Sequence, residues 1–248
     1  MSVNKQTLEI LNYLKFDYLK NNWDEILKKA EKEETSYQKF LQNILAKEYE
    51  EKLEKVKSNK IIAAKIPNSF TIATYPFDLQ PHLDKKRIFA RHDSLDFVID
   101  KKSIIFIGKS GSGKTGLASS FLRQAINNGH SGRFVEFRTL IEELLKSIGD
   151  RTEKKLIHRY SKYDCLVIDD LSFTTIIEKG EANLFNSLIQ KRYKHGSTII
   201  TTPLGIAEWD KVFSNPPLTE SVIGRLTDNG HILTLRNCGS VRSKCDVD

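Results

Sequence analysis

The feature that most constrains the fold of this chain is the stretch GKSGSGKT at residues 108–115, which follows the apolar run SIIFI. It satisfies the pattern G-x-x-x-x-G-K-[ST], with a predicted strand before it and a predicted helix after it. Glycines let the backbone N–H groups of such a loop point at phosphate oxygens, and the helix start adds its positive dipole end. We predict that the nucleotide is bound by Gly108, Lys109, Ser110, Gly111, Ser112, Gly113, Lys114, Thr115 and Gly116.

Two side chains of the loop have specific expected roles. Lys114 should reach the β and γ phosphates, and the hydroxyl of Thr115 should ligate Mg²⁺. The second half of such a site is a carboxylate at a strand end, which the run YDCLVIDD supplies. We predict that Asp169 holds Mg²⁺ through water and that Asp170 activates the attacking water.

The spacing between loop and carboxylates indicates the class of nucleotide site. Asp169 follows Lys114 by 55 positions, and the intervening residues hold another predicted strand and two predicted helices. The carboxylate strand is therefore not next in sequence to the loop strand, as it commonly is in small-molecule kinases and GTPases. The arrangement favours an ATPase with an extra central strand and a dedicated catalytic acid, so ATP and Mg²⁺ are the expected cofactors.

From about residue 81 the sequence alternates between predicted strands and helices. Continuous apolar runs such as IIFI and CLVI are typical of strands buried on both faces of a parallel sheet. We predict an α/β fold with a central parallel five-stranded sheet, helices on both faces and no obvious C-terminal lid domain. The predicted strands are Ser103–Ile107, Phe134–Phe137, Cys165–Asp169, Thr198–Thr202 and Ile232–Leu235, and the predicted helices are Thr115–Asn127, Leu140–Ile148, Glu153–Lys162 and Glu181–His195.

The preceding residues have a different composition. Residues 1–60 contain no Gly, Pro or Arg, which favours a small helical N-terminal domain for DNA or partner contact, or for packing and oligomerisation. A first helix is predicted near Leu8–Leu19. A capping box of Thr35 and Gln38 is predicted to start another, whose apolar residues fall on one face. Residues 61–80, with two prolines, are predicted to be a linker packed on the ATPase domain of residues 81–248.

Charge suggests the chemistry of the partner. The formal net charge is +7 and the pI is about 9.1, which favours an anionic partner, although many enzymes carry a similar surplus. The predicted helix RTEKKLIHRYSK is strongly one-sided, with a single acidic residue. We expect it to contact the backbone of double-stranded DNA. The predicted DNA-contact residues are Arg151, Lys154, Lys155, Arg159 and Lys162.

Cysteine usage and hydropathy bear on location. The cysteines Cys165, Cys238 and Cys245 are odd in number and lack C-x-x-C spacing, so we expect reduced thiols. No apolar run approaches the roughly 18 residues of a membrane span. The N-terminus lacks the apolar region of a signal peptide. We expect a cytoplasmic protein without membrane contact.

Two further segments carry candidate catalytic residues. The strand in STIITTPLGIAEW should end beside the γ-phosphate, where Thr201 and Thr202 are candidates to sense it, and we predict Thr202 for this role. In ESVIGRLTDNG, Arg225 lies shortly before the last strand. It is either a surface charge or an arginine finger that reaches the nucleotide of a neighbouring subunit.

The order of several phrases resembles a known family. The sequence has IPNSFTIATYPFDLQPHLDKKRI, FIGKSGSGKTGLASSF, LVIDDLS, STIITTPLGIAEW and IGRL. It is similar over about residues 5–243 to the IstB-type transposition helper ATPases of bacterial insertion sequences. These belong to the AAA+ class and are related to the DnaC helicase loaders.

The resemblance implies an ATP-dependent homo-oligomer that assembles on target DNA, recruits the transposase of the same element and is released by hydrolysis. It also implies that Arg225 is the arginine finger, that the N-terminal domain contacts DNA or transposase, and that Arg242 matches a further family arginine.

The chain departs from the family pattern at the ends of two strands. Pro203 stands where family members usually have Asn, and proline has no side-chain donor. Asp170 stands where many relatives have Glu, which shortens the reach by one methylene. These departures predict secure ATP binding and leave the rate of hydrolysis open.

Three alternatives remain open at the level of sequence. One is a DnaC-like replicative helicase loader, with the same chemistry and a different client. A second is a P-loop kinase for a small metabolite, which would need a phosphoacceptor pocket and an Arg-rich lid. A third is an ATP-binding switch or scaffold that barely hydrolyses ATP, which Pro203 and Asp170 motivate.

Overall fold

The computed structural model describes residues 3–67, 71–175, 177–213, 215–228 and 230–235. The chain forms two compact units, Met1–Asn59 and Lys60–Asp248. Three residues named above, Cys238, Arg242 and Cys245, lie outside the described residues. Within the described part of the chain, no helix is both long and apolar enough to cross a lipid bilayer.

The N-terminal helices differ in detail from the prediction. Their bounds are α1 (Lys5–Leu14), α2 (Asp17–Asn21), α3 (Trp23–Lys32) and α4 (Tyr37–Ala63). The single helix predicted near Leu8–Leu19 is wrong: Lys15 adopts a left-handed conformation with φ 54° and ends α1. The predicted capping box of Thr35 and Gln38 is also wrong. Because α4 begins at Tyr37, the capping hydroxyl is that of Ser36, which accepts a hydrogen bond from the Lys39 N–H at 3.4 Å.

A buried carboxylate links α2 to α4 in the first unit. The N-cap residue of α2 supplies no side-chain hydrogen bond. Instead Glu48, which is buried on α4, accepts a hydrogen bond from the Leu19 N–H through Oε1 at 2.7 Å. Lys55 of α4 also pairs with Asp17 at the start of α2, at 2.6 Å. A helix of five residues is marginal by itself, so these contacts from another helix stabilise it.

The second unit is built on a five-stranded sheet. Its strands are β1 (Ile104–Gly108), β2 (Gly132–Glu136), β3 (Cys165–Asp169), β4 (Ser197–Thr202) and β5 (His231–Leu235). Their order across the sheet is β2-β3-β4-β1-β5, and all neighbouring pairs are parallel. This confirms the predicted fold class. Only β3 has the predicted bounds, and the other four strands differ from the prediction by one or two residues at one or both ends. In β2 the predicted last residue, Phe137, begins a helix instead.

Helices and short 3-10 turns surround this sheet. The α-helices are α5 (Lys85–Ser94), α6 (Asp96–Ile99), α7 (Lys114–Asn127), α8 (Phe137–Asp150), α9 (Glu153–Ser161), α10 (Lys179–Arg192), α11 (Asp210–Phe213) and α12 (Pro216–Thr227). The 3-10 helices are Ile72–Thr74, Phe77–Leu79 and Ile206–Glu208.

Each face of the sheet has its own hydrophobic core. Ile105 of β1 packs in one core with residues of α8 and α10, whereas its neighbours Ile104 and Phe106 pack in the other core with residues of α7. Side chains alternate between the two faces of a strand, so a strand covered on both sides favours apolar residues at consecutive positions. This explains why IIFI and CLVI are continuous rather than alternating. Cys165 lies fully buried in β3, and burial raises the pKa of its thiol to about 12.

The predicted linker packs tightly within the second unit. Ile72, Tyr75 and Phe77 are buried in the core that contains α7. At the outer edge of the sheet, the Phe134 N–H of β2 donates to the Ala64 carbonyl at 2.8 Å. The Arg133 guanidinium donates to the Ala63 carbonyl, also at 2.8 Å. These residues therefore cover an edge strand that would otherwise present unpaired backbone groups.

Candidate nucleotide-binding site

The sheet topology brings the predicted site residues to one edge. Gly108 ends β1, Asp169 ends β3 and Thr202 ends β4, and the three strands are parallel. Their carboxyl ends therefore meet at the same edge, where open α/β sheets bind ligands. β4 lies between β1 and β3, which confirms the extra central strand that the spacing predicts.

The conformation of the loop requires glycine at specific positions. Gly111 and Gly113 have φ of 81° and 87°, which is left-handed backbone that residues with a Cβ rarely adopt. At Gly108 the reason is space, because a Cβ there would lie 2.6 Å from the Leu235 carbonyl oxygen of β5. The loop closes with a hydrogen bond from the Ser112 N–H to the Lys109 carbonyl, at 3.2 Å.

The polar groups of the loop fit a phosphate ligand. Lys114 is buried, and its ammonium group donates to the Gly108 carbonyl at 2.6 Å and to the Lys109 carbonyl at 3.0 Å. These bonds hold a positive charge over the loop. The Ser112 hydroxyl is buried and has no hydrogen-bond partner among the residues that the structure describes. A buried polar atom without a partner is costly, and a phosphate oxygen would provide one.

Asp169 and two threonines form the candidate magnesium site. The Thr115 hydroxyl lies 3.0 and 3.2 Å from the two carboxylate oxygens of Asp169, and the Thr201 hydroxyl donates to Oδ1 at 2.6 Å. Burial raises the pKa of the Asp169 carboxyl, and the hydrogen bonds from Thr201 and Thr115 oppose that rise. A hydroxyl and a carboxylate are oxygen ligands that suit Mg²⁺, so these residues fit the predicted ion.

Asp170 differs from its neighbour in exposure and backbone conformation. It is exposed whereas Asp169 is buried, and it has a left-handed φ of 58°. The turn is supported by two contacts with Thr201, whose hydroxyl accepts from the Asp170 N–H and whose carbonyl accepts from the Leu171 N–H, both at 2.9 Å. The exposed Asp170 carboxylate, next to the buried Asp169 and Thr201, is suited to contact water.

The two candidate sensor threonines have different partners. Thr201 contacts both carboxylate-bearing residues, as described above. The Thr202 hydroxyl is fully buried, donates to the Leu171 carbonyl at 2.6 Å and accepts from the Leu204 N–H at 3.0 Å. The single hydroxyl proton of Thr202 is therefore already used in the hydrogen bond to the Leu171 carbonyl. Adjacent residues on a strand face opposite sides, a signal that could have separated the two threonines.

Arg225 lies at the opposite edge of the sheet. It is on α12, which ends shortly before β5 begins, and it lines a small cavity with Ser103 and Gly196 near the amino ends of β1 and β4. Its Nη1 donates to the Ser221 carbonyl at 2.8 Å and to Asn186 Oδ1 of α10 at 3.2 Å. The five residues of β1 separate these two edges by roughly 15 Å. Within one chain, the arginine and the loop are not brought together.

The basic helix is largely unpaired. α9 carries Lys154, Lys155 and Arg159, with Arg151 before it and Lys162 after it, and all five side chains are exposed. Arg159 forms a salt bridge with Glu143 at 2.6 Å. In the described portion of the chain, the other four have no salt bridge.

One site contact was missed by sequence reasoning. The Tyr75 hydroxyl, from the predicted linker, donates to the Ser112 carbonyl of the loop at 2.8 Å. The aromatic run in the linker indicates packing, but it gives no indication of this partner.

Comparison with known proteins places the chain in a family. It is 27% identical over 227 residues to the ATP-binding protein of insertion sequence IS21 from Pseudomonas aeruginosa, covering 92% of this chain and 85% of that protein. It is 28% identical to the ATP-binding protein of insertion sequence IS232 from Bacillus thuringiensis subsp. berliner, covering 91% and 89%.

Solved structures support the fold. The DnaC helicase loader is 24% identical with a TM-score of 0.58, covering 69% of this chain and 99% of that one. AMPPCP-bound DnaA from Aquifex aeolicus is 16% identical with a TM-score of 0.58, covering 73% of this chain and 54% of that one. Both are P-loop AAA+ proteins, so the core of the second unit has the AAA+ fold. The model of the IstB-like ATP binding protein family matches residues 9–247, and the chain belongs to that family.

Proposed function

We propose that this protein is a Mg²⁺-dependent ATPase that assists transposition by oligomerising on double-stranded DNA and recruiting or regulating the transposase of its element. The observation that carries the proposal is the separation of Lys114 and Arg225 on opposite edges of one sheet. If Arg225 acts on ATP, it acts on the nucleotide of a neighbouring subunit. Oligomerisation then completes the site, and ATP hydrolysis acts as the release switch.

The residues at the carboxyl ends of β1, β3 and β4 have distinct roles in this proposal. Lys114 and the loop N–H groups bind the phosphates, and Thr115 with Asp169 would hold Mg²⁺, which supplies positive charge beside the transferred phosphoryl group. Thr201 orients the Asp169 carboxylate through its 2.6 Å hydrogen bond. Asp170, exposed beside them, orients and deprotonates the attacking water.

We expect hydrolysis to be slow. Pro203 follows the end of β4, where an amide side chain would otherwise be available to contact the γ-phosphate. The Thr202 hydroxyl donates to the Leu171 carbonyl, so its role as a sensor requires that bond to break. Asp170 also has a shorter side chain than a glutamate. Slow turnover is suited to a switch that stays assembled on DNA until it is released.

The proposed DNA contact consists of the four basic residues around α9 that form no salt bridge with the described residues. Each is exposed, and lysine and arginine near a phosphate backbone release bound counterions, which favours binding. The relatives named for insertion sequences supply the context of a bacterial mobile element, from which we infer the transposase partner. Such a protein acts in the bacterial cytoplasm.

The test is to mix the protein with duplex DNA, with and without Mg-ATP, and to follow assembly size and phosphate release. We expect ATP-dependent rings or filaments on DNA and phosphate release that DNA stimulates. Lys114→Ala is the matched control and should give neither. If the protein stays monomeric and does not bind DNA in the presence of ATP, the proposal is wrong. If it assembles without releasing phosphate, it is an ATP-binding scaffold rather than an ATPase.

A further inference from the structure

Tyr75 connects the linker to the nucleotide loop by a buried hydrogen bond. It follows the 3-10 helix Ile72–Thr74, and its side chain is only 4% exposed. Its hydroxyl donates to the Ser112 carbonyl at 2.8 Å. Burial raises the pKa of the Tyr75 hydroxyl, so the group stays protonated and remains a donor near neutral pH.

The ring of Tyr75 is held against the same turn of the loop. It packs edge-to-face on Phe77, with ring centroids 4.8 Å apart. It also lies so close to Gly113 that a Cβ at that position would be 2.5 Å from Tyr75 Cε2. The position of the hydroxyl is therefore fixed by the ring, and the ring by its neighbours.

The hydrogen bond sets the orientation of one peptide unit. The peptide between Ser112 and Gly113 is planar and trans, so its C=O and its N–H point in opposite directions. When the Ser112 carbonyl is held toward Tyr75, the Gly113 N–H is directed away from Tyr75. Backbone N–H groups are the ligands that such a loop offers to phosphate, and their orientation decides whether they reach it.

We propose that Tyr75 is a positioning residue for nucleotide binding, which orients the 112–113 peptide for the phosphates by holding its carbonyl. The inference rests on the proposed nucleotide site and goes beyond it, since Tyr75 lies outside the loop. The linker thereby becomes part of the binding site. Loss of the hydroxyl frees the peptide to rotate and leaves the Ser112 carbonyl without its partner.

The experiment measures displacement of a fluorescent ATP analogue by ATP and by tripolyphosphate, for wild type and for Tyr75→Phe. The substitution keeps the ring and removes the hydrogen bond to the Ser112 carbonyl, so we expect both competitors to bind about 5- to 10-fold more weakly. Tyr160→Phe is the matched control, because Tyr160 is equally buried and its hydroxyl contacts Glu143 at 2.9 Å, away from the loop. It should lower the melting temperature similarly and leave both affinities unchanged.

Each other outcome counts against the positioning role. Equal affinities of wild type and Tyr75→Phe would overturn it. Weaker ATP binding with unchanged tripolyphosphate binding would also overturn it, because the effect would then lie outside the phosphates. An equal loss of affinity in Tyr160→Phe would also overturn it, because the loss would then reflect lower stability of the fold rather than the contact with the loop. Failure of wild type to bind ATP would overturn both this inference and the proposed function, so the two failures are distinguishable.

Discussion

The carboxyl ends and the amino ends of the strands in the central sheet, called here its carboxyl edge and its amino edge, differ in how charged side chains are held. At the carboxyl edge, Asp169 and Lys114 are buried and hydrogen-bonded within one subunit. At the amino edge, Arg225 is partly exposed, and only its Nη1 has hydrogen-bond partners among the described residues. One chain therefore brings together the residues proposed to bind nucleotide, whereas the residue proposed to accelerate hydrolysis lies at the opposite ends of the strands. Binding and turnover should therefore respond separately to substitution.

The largest expected effect is that of Arg225→Ala on turnover. An arginine finger contributes about 10³-fold or more to phosphoryl transfer, so DNA-stimulated phosphate release should fall by about 10³-fold while ATP affinity is unchanged. If the arginine acts across subunits, as proposed, mixing Arg225→Ala with Lys114→Ala protein should partly restore phosphate release. If mixing does not restore phosphate release, or if Arg225→Ala also loses ATP affinity, then binding and hydrolysis are not divided between the two ends of the strands.

Lys114→Ala should have the next largest effect, on binding itself. Removal of the buried ammonium group deletes charge-assisted contacts to the phosphates, and we expect ATP affinity to fall by about 100-fold. Calorimetric titration measures this directly. Lys86→Ala is the control, since this lysine is exposed and lies on α5, outside the loop. Comparable losses in both variants would mean that the buried charge is not the main determinant.

The adjacent threonines allow a finer comparison within the carboxyl edge. Thr201→Val removes the 2.6 Å hydrogen bond to Asp169 and should lower turnover by about 10-fold. Thr202→Val leaves the Leu171 carbonyl and the Leu204 N–H unpaired, so it should lower the free energy of unfolding by about 1–3 kcal/mol. Denaturant unfolding and phosphate release are measured on both variants. A larger loss of turnover in Thr202→Val would identify Thr202 as the sensor after all.

The smallest effect per substitution is expected on α9. Lys154→Gln and Lys155→Gln should each reduce the slope of log K against log salt for DNA binding by about 1, without changing ATP affinity. Arg159→Gln is the control, because this arginine already pairs with Glu143 at 2.6 Å. Fluorescence anisotropy at several salt concentrations measures the slopes. Equal slopes for wild type and both lysine variants would remove α9 from the DNA interface.

The sheet and the loop could be predicted from the sequence because both depend on residues that are adjacent in the chain. A strand covered on both faces favours apolar residues at consecutive positions, so β3 was placed with its observed bounds and Asp169 at its end. The loop was predictable for the same reason, since glycine at 111 and 113 reflects the backbone conformation at those residues.

The errors and omissions involve contacts between distant segments. Glu48 caps α2 from 29 residues away, and Tyr75 contacts Ser112 from 37 residues away. Neither contact leaves a periodicity or spacing that a sequence displays. Lys15 is a different case, because a left-handed lysine is uncommon and nothing in the adjacent residue types marks the break between α1 and α2.

The backbone contacts of Ala63 and Ala64 at the edge of the sheet have a practical consequence for dissecting this protein. A shortened protein that begins after Ala64 would leave the Phe134 N–H of β2 without its acceptor and expose a strand edge that other chains can pair with. Such a fragment should aggregate on purification. One that begins at Lys60 would keep both alanines and the contact between the Lys60 ammonium group and the Gly129 carbonyl. The second unit is therefore better isolated by retaining a few residues that the sequence assigns to the linker.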